Sequence, residues 1–175
     1  EDQKNNGVYF TSPAGGIVKD INRGDKRRFL SIEIDIKDTE EFVNFDMDDS
    51  DHQIKDCLID SGLWNAFRTR PFNRTPGINE IPDAVFINCC DSNPLALDPY
   101  EIILLNKAEF DEGLNVLTDF FRCNINLCYQ NDNFDTSIEK INYYQFKGPH
   151  PSGLSSTHIS KIYPVNLNRK VWTIN

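Results

Sequence analysis

No run of apolar residues in this 175-residue sequence approaches the roughly 20 that a membrane-spanning helix needs; the longest, Ile102-Ile103-Leu104-Leu105, has the size of a core segment. Basic charge is scarce as well, with 18 Lys and Arg against 27 Asp and Glu and a formal charge of -9. A nucleic-acid binder needs a basic surface to replace phosphate counterions, and only short basic clusters occur, which argues against that class. The G-x-S-x-G elbow, the G-x-x-x-x-G-K phosphate loop and the G-x-G-x-x-G fingerprint are all missing, which removes the commonest hydrolase and nucleotide signatures. No basic-then-apolar leader opens the sequence, so export is not expected. Histidine is limited to His52, in a polar helical turn where solvation is expected, and to His150 and His158 across a Gly/Pro loop. Neither of the latter has a Cys or acidic pair at ligand spacing, so no metal site is expected. The five cysteines match no disulfide framework, and the adjacent Cys89 and Cys90 would bridge only with strain. Cys123 and Cys128 lack a C-x-x-C partner and read as apolar core residues rather than cluster ligands. Reduced thiols in a cytoplasmic compartment are the expectation.

What is present suits a folded chain. Hydrophobic residues make up 39%, and 12 Phe contribute to 11% aromatics, enough for a core. The chain begins without Met, enters an expected strand at Val8-Tyr9-Phe10, and stops inside another at Val171-Trp172-Thr173-Ile174, which suggests an internal piece of a longer protein. Between them, Ile17 to Ile21 reads as a strand, and Leu30 to Ile36 alternates strictly, with Ile32, Ile34 and Ile36 on one face. Three strands do not close a barrel, so residues 1–46 are expected to form part of a β module with its other half missing. Lys26, in the intervening turn, invites comparison with carrier lysines, but Arg27 and Arg28 follow it and cofactor attachment is not expected.

Residues 47–175 are expected to form an α/β domain. Ser50-Asp51-His52-Gln53 fits a capping box, followed by the apolar stripe Ile54, Cys57 and Leu58. Ala84 to Ile87 is a continuous apolar run, as in a parallel strand covered on both faces. Asp98-Pro99 predicts a helix start, and Phe110, Leu114, Leu117 and Phe121 lie at helical spacing. Leu127 to Tyr129, Tyr143 to Phe146 and the final segment are strand candidates, with a short helix near Thr157. Alternation of strand and helix predicts a mostly parallel sheet.

Two segments are candidates for function. Trp64 to Phe72 holds Trp64, Phe67 and Phe72 with Arg68 and Arg70, a mixture suited to a quinone head group or a protein surface. The plainer reading places Trp64 and Phe67 in the core and leaves the arginines solvated or capping, and on residue chemistry it stands ahead. Asn88 to Pro94 follows a buried strand, where ligands bind in open α/β sheets, yet Asp91, Ser92, Asn93 and Pro94 are also favoured turn formers.

The stretch Asp60-Ser61-Gly62-Leu63-Trp64-Asn65-Ala66-Phe67-Arg68-Thr69-Arg70-Pro71-Phe72 resembles the signature of the NqrA family, one of the component chains of the sodium-translocating NADH:quinone reductases. Thr11-Ser12-Pro13, Ile21-Asn22-Arg23-Gly24, Asp91-Ser92-Asn93-Pro94-Leu95-Ala96, Gly148-Pro149-His150-Pro151, Gly153-Leu154 and Thr157-His158 extend the resemblance along nearly the whole chain. It implies a hydrophilic, peripheral subunit on the cytoplasmic face of the bacterial inner membrane, in a six-subunit complex that passes electrons from NADH to ubiquinone and exports sodium. It also implies a lipoyl/biotinyl-like barrel-sandwich module followed by a Rossmann-like domain, as in the flavin-carrying subunit of respiratory complex I. Against those flavin-carrying relatives, Trp64, Asn65 and Phe67 fill the place of a glycine-rich loop and only Gly62 remains. Asn93 replaces an acidic residue in their cofactor-contacting loop, here Asn88, Asp91 and Asn93. The resemblance therefore implies a degenerate crevice without its own flavin or iron–sulfur centre, and a quinone- or partner-proximal role for Trp64, Phe67, Arg68, Arg70 and Phe72. The alternative is a module that still binds flavin or nucleotide.

Overall fold

The computed structural model of the chain describes residues 5–39, 42–45 and 51–174. The expected capping box at Ser50 and the solvated ring of His52 lie outside the described residues and side chains.

The first unit is a two-stranded antiparallel ribbon, β1 (Gly16–Arg23) against β2 (Phe29–Ile36). Its turn carries Lys26 and Arg27 at φ 55° and 61°. Ile32, Ile34 and Ile36 share a face with Ile21, Val18 and Gly16 opposite them. Most of these apolar side chains are exposed, because a lone ribbon has no second layer to cover them. The third strand expected at Val8–Phe10 does not form. Val8 is instead fully buried in the core of the α/β unit. Its neighbours are held there by side chains: Asn65 Nδ2 donates to the Tyr9 carbonyl at 2.7 Å, and Thr11 Oγ1 to that of Ser61 at 3.3 Å. Burial against another unit, rather than local β propensity, decides the path of this segment.

The second unit is a five-stranded sheet in the order β3 (Arg68–Arg70), β7 (Val171–Ile174), β4 (Ala84–Cys89), β5 (Asn124–Tyr129), β6 (Ile141–Gln145). The last four run parallel, and β3 is antiparallel to β7. As the continuous apolar run predicts, β4 is central and Ala84 to Ile87 are buried. Its pleat divides the core. Val85, Ile87 and Cys89 pack with Ile59 of α1 (Asp51–Asp60) and Leu114 of α3 (Lys107–Phe120). Ala84 and Phe86 pack with Ile159 of α4 (Ser155–Ile162) on the other face.

Asp98 caps α2 (Pro99–Leu105), its Oδ1 accepting from the Tyr100 N–H at 3.0 Å with Pro99 at the first helical position, as the dipeptide predicts. The helical spacing from Phe110 onward is realised in α3, with Phe121 as its capping residue. Between β5 and β6 no helix forms. Phe134 stacks on Tyr129 at 4.8 Å, and Ile138 packs on the same core, so an irregular crossover does a helix's covering work. Leu127 sits at full burial in β5. Leu127→Ala should lower unfolding stability by about 2–5 kcal/mol in urea titration; a loss near zero would show that β5 is not the packed strand described.

Candidate functional site

The segment from Gly62 begins with a conformation only glycine adopts easily. Gly62 has φ +80°, and a Cβ there would come within 3.0 Å of Thr11 Oγ1. A single 3-10 turn, Leu63–Ala66, then drives Trp64 inward. The Trp64 indole N–H donates to the Pro76 carbonyl at 2.9 Å, and its ring lies edge-on to Phe67 at 5.5 Å and to Trp172 of β7 at 5.8 Å. Phe67 meets Phe121 at 5.5 Å. Trp64 and Phe67 are therefore core residues, as the plainer reading has it, with their rings on the α1/α3 face.

The arginines go elsewhere. Arg68 and Arg70 oppose Thr173 and Val171 in the β3–β7 ladder, while Thr69 opposes Trp172. Strand alternation thus places both guanidiniums on the α4 face, away from the tryptophans. Arg68 Nη1 donates to Thr75 Oγ1 at 2.9 Å. Arg70 is half-buried, burial lowers its pKa, and its Nε has no partner among the described residues. Phe72 is exposed, with the Arg74 guanidinium 5.6 Å from its ring centre.

Asn88 to Asn93 lies at the carboxyl end of β4 and is tied to the loop before α4. Asn88 Nδ2 donates to the Gly153 carbonyl at 3.1 Å, and its Oδ1 accepts from the Cys90 N–H at 3.2 Å. Asp91 Oδ1 accepts from both the backbone and the side chain of Asn93, at 2.8 and 2.7 Å, closing a local turn. Ser92 Oγ accepts from the Gly153 N–H at 2.8 Å and lies within hydrogen-bond distance of His150 Nδ1, at 3.2 Å. A Cβ on Gly153 would meet Ser92 N at 2.5 Å and Asp91 C at 2.9 Å, so the two loops touch backbone to backbone. The turn reading accounts for Asp91, Ser92 and Asn93. The two candidate groups are not assembled into one site: both Gly62–Phe67 and Asn88–Asn93 border the carboxyl ends of the strands, but on opposite faces of the sheet.

Two features are not apparent from the sequence. The first is a cavity of about 630 Å³ at the opposite, amino ends of the parallel strands. Trp64, Ile78, Ile81, Pro82, Phe120 and Trp172 line it, with Lys55, Glu80 and Arg122 also at its wall. The Trp172 indole N–H is buried without a partner among the described residues. Ile78, Ile81 and Pro82 stand in a stretch that composition marks only as a Pro/Gly/Asn loop, and their apolar character is the one signal of the cavity in the sequence. The second is His158, which is wholly buried. Its Nε2 donates to the Ser152 carbonyl at 2.7 Å, its ring lies 4.0 Å from Phe146, and its Nδ1 has no partner among the described residues. All five thiols are free, and burial pushes those of Cys89 and Cys90 up to about 12, which keeps them protonated and unreactive.

Two outcomes follow from this geometry. Gly153→Ala should cost about 1–3 kcal/mol, read as a lower melting temperature, because backbone rather than a flexible side chain meets the new methyl. Burial also lowers the His158 pKa from the ordinary 6.5, with smaller opposing and reinforcing contributions from Ser152 and Lys161. Below pH 6.5 the unfolded chain takes up a proton that the folded one refuses. The contribution of neutral His158 is therefore full above pH 6.5 and is lost as pH falls toward the folded pKa. In urea titrations across that range, His158→Gln should show a shallower decline than the parent; identical slopes would contradict the assignment.

The family model described as the NqrA second alpha/beta domain matches residues 49–175, and that of the NqrA N-terminal barrel-sandwich hybrid domain matches residues 1–37. Across 183 residues the chain is 42% identical to a protein of Klebsiella pneumoniae (strain 342), covering 100% of this chain and 41% of that one. Identity to a protein of Photorhabdus laumondii is 44% over 181 residues, covering 98% of this chain and 40% of that one. Both relatives are named as the NqrA component of a Na(+)-translocating NADH-quinone reductase. The chain spans about two fifths of the length of these relatives.

Proposed function

The chain belongs to the NqrA family, and on that premise we propose that its parent protein is a hydrophilic subunit of a sodium-pumping NADH:ubiquinone reductase that works beside the quinone without a flavin or iron–sulfur centre of its own. The first unit, taken to residue 46, is part of a barrel-sandwich module, and residues 47–175 form a Rossmann-like domain. The protein sits at the cytoplasmic face of the inner membrane through its partners in a six-subunit complex; no described helix is long and apolar enough to cross a bilayer.

The observation that carries this reading is the apolar cavity beside the signature segment. At about 630 Å³ it has the size of a ligand site, its lining is largely aromatic and aliphatic, and Lys55 and Arg122 stand at its wall as hydrogen-bond donors. A quinone ring is flat and apolar, with carbonyl oxygens that accept hydrogen bonds, so this chemistry fits. Arg70 lies on the other sheet face and does not line this cavity. The opposing carboxyl-end crevice does not suit flavin. Gly62 stands alone where a phosphate cradle needs several glycines, and the loop carrying Asn88, Asp91 and Asn93 spends its polar groups on itself and on Gly153.

Ile81 is exposed at the cavity wall, so Ile81→Trp should obstruct the cavity with little effect on folding. In the assembled complex, NADH oxidation with an artificial acceptor should persist while quinone reduction falls roughly tenfold or more, equivalent to about 1.4 kcal/mol. Unchanged quinone kinetics in a fully assembled variant would remove the cavity from the reaction. Near-stoichiometric flavin bands in the spectrum of the purified intact protein would overturn the cofactor-free reading.

A further inference from the structure

The segment between β4 and α3 exposes an apolar surface that the quinone reading leaves unused. Leu95 is 105% exposed, Leu97 63%, Ile102 54% and Leu105 84%. Ile102 and Leu105 are three apart on α2 and so share a face. With Asp98 as the cap, Leu97 and Ile102 occupy the two sequence positions that a hydrophobic staple uses at the start of a helix. Leu95 has φ 63°, a backbone conformation that residues with side chains rarely adopt, and it projects fully into solvent. Strain that exposes a leucine does nothing for this fold by itself, and is the kind of outlier that accompanies recognition.

Charge decides what covers this face. Residues 91–112 hold six carboxylates and a single cation, Lys107. That cation is already engaged with Asp111 and, at 3.7 Å, with Asp135. Glu101, Glu109 and Glu112 are exposed on the same pair of helices. A second copy of this chain would bring the same negative rim against itself. An anionic lipid surface would be repelled for the same reason. The complementary occupant is apolar in the middle and positive around it.

We propose that Leu95, Leu97, Ile102 and Leu105 form a docking face for a protein segment whose apolar side chains are flanked by lysine or arginine. The apolar residues anchor the segment, and the acidic surround orients it and speeds encounter.

The test uses the full-length protein in its own cells, with a photoreactive side chain in place of Leu97. After irradiation, the cross-linked peptide is sequenced by mass spectrometry. The expected adduct is a defined segment of another protein with apolar residues and adjacent Lys or Arg. Its yield should fall at least tenfold when Leu95→Asp and Leu105→Asp are combined, and should drop as ionic strength rises. Both substitutions lie at exposed positions, and an unchanged melting temperature establishes that folding is intact; if the pair does melt lower, Leu105→Gln alone takes its place. Adducts with lipid, with a second copy, or with a segment lacking basic residues overturn the proposal. So does the absence of any protein adduct, or equal capture by the substituted protein. None of these readouts depends on quinone reduction, so this docking face and the quinone reading stand or fall separately.

Discussion

Trp172 is the residue around which this fold closes. It belongs to β7, which lies between β3 and β4, and its ring is met at 5.8 Å by Trp64, Phe67 and Phe121. One side chain thus joins the turn after α1, the edge strand β3, the end of α3 and the central strand. The contacts with Trp64 and Phe121 are edge-to-face and that with Phe67 is tilted; aromatic pairs add roughly 0.5–1.5 kcal/mol each beyond the area they bury, and they fix ring orientation as well as position. Much else follows from that centre. Gly62 must take a left-handed conformation for the chain to drop Trp64 into it, Pro76 must offer its carbonyl to the Trp64 indole, and the cavity at the amino ends of the strands is the space left where these large flat rings meet the Ile78–Pro82 stretch.

The same centre explains which parts of the candidate site are legible in the sequence. Continuous apolar runs identify β4 because burial on both faces removes polar positions from a strand, and Asp98-Pro99 identifies a helix start because capping chemistry is local. By contrast, β3 leaves no trace there. It is three residues long, it alternates charge with threonine, and it exists because β7 arrives beside it from far along the chain. The signature segment poses a related difficulty. Trp64 to Phe72 looks like one amphipathic patch when written as a string. A turn followed by a strand splits it, sending the rings of Trp64 and Phe67 to one sheet face and the guanidiniums to the other, and leaving Phe72 exposed. The irregular crossover at residues 130–140 is equally hidden, since Phe134 and Ile138 show no periodicity until Tyr129 and the sheet are in place.

Four buried side-chain polar atoms lack a partner among the described residues. Trp172 Nε1 belongs to a residue that lines the cavity, Arg70 Nε lies at the sheet edge, His158 Nδ1 is beside the loop that meets Asn88 to Asn93, and Asn65 Oδ1 belongs to the side chain whose amide N–H holds Tyr9. An unpaired buried donor or acceptor costs more than an ordinary hydrogen bond returns, on the order of 1–3 kcal/mol.

The place of β7 in the sheet also governs how such a chain comes to be built. Ala84 pairs with Val171, and Thr69 with Trp172, so the strand that fills the gap beside the centre leaves the ribosome only after everything else described here. Until then β4 lacks a neighbour on one side, Trp64 and Phe67 lack their central partner, and the edge strand has no ladder to join. Local pairing of β4 with β5, and of β5 with β6, offers an early platform; final closure waits on the most distant contacts, which are the slowest to form. A nascent chain therefore exposes this aromatic interior until β7 has emerged, an interval in which that surface is open to aggregation.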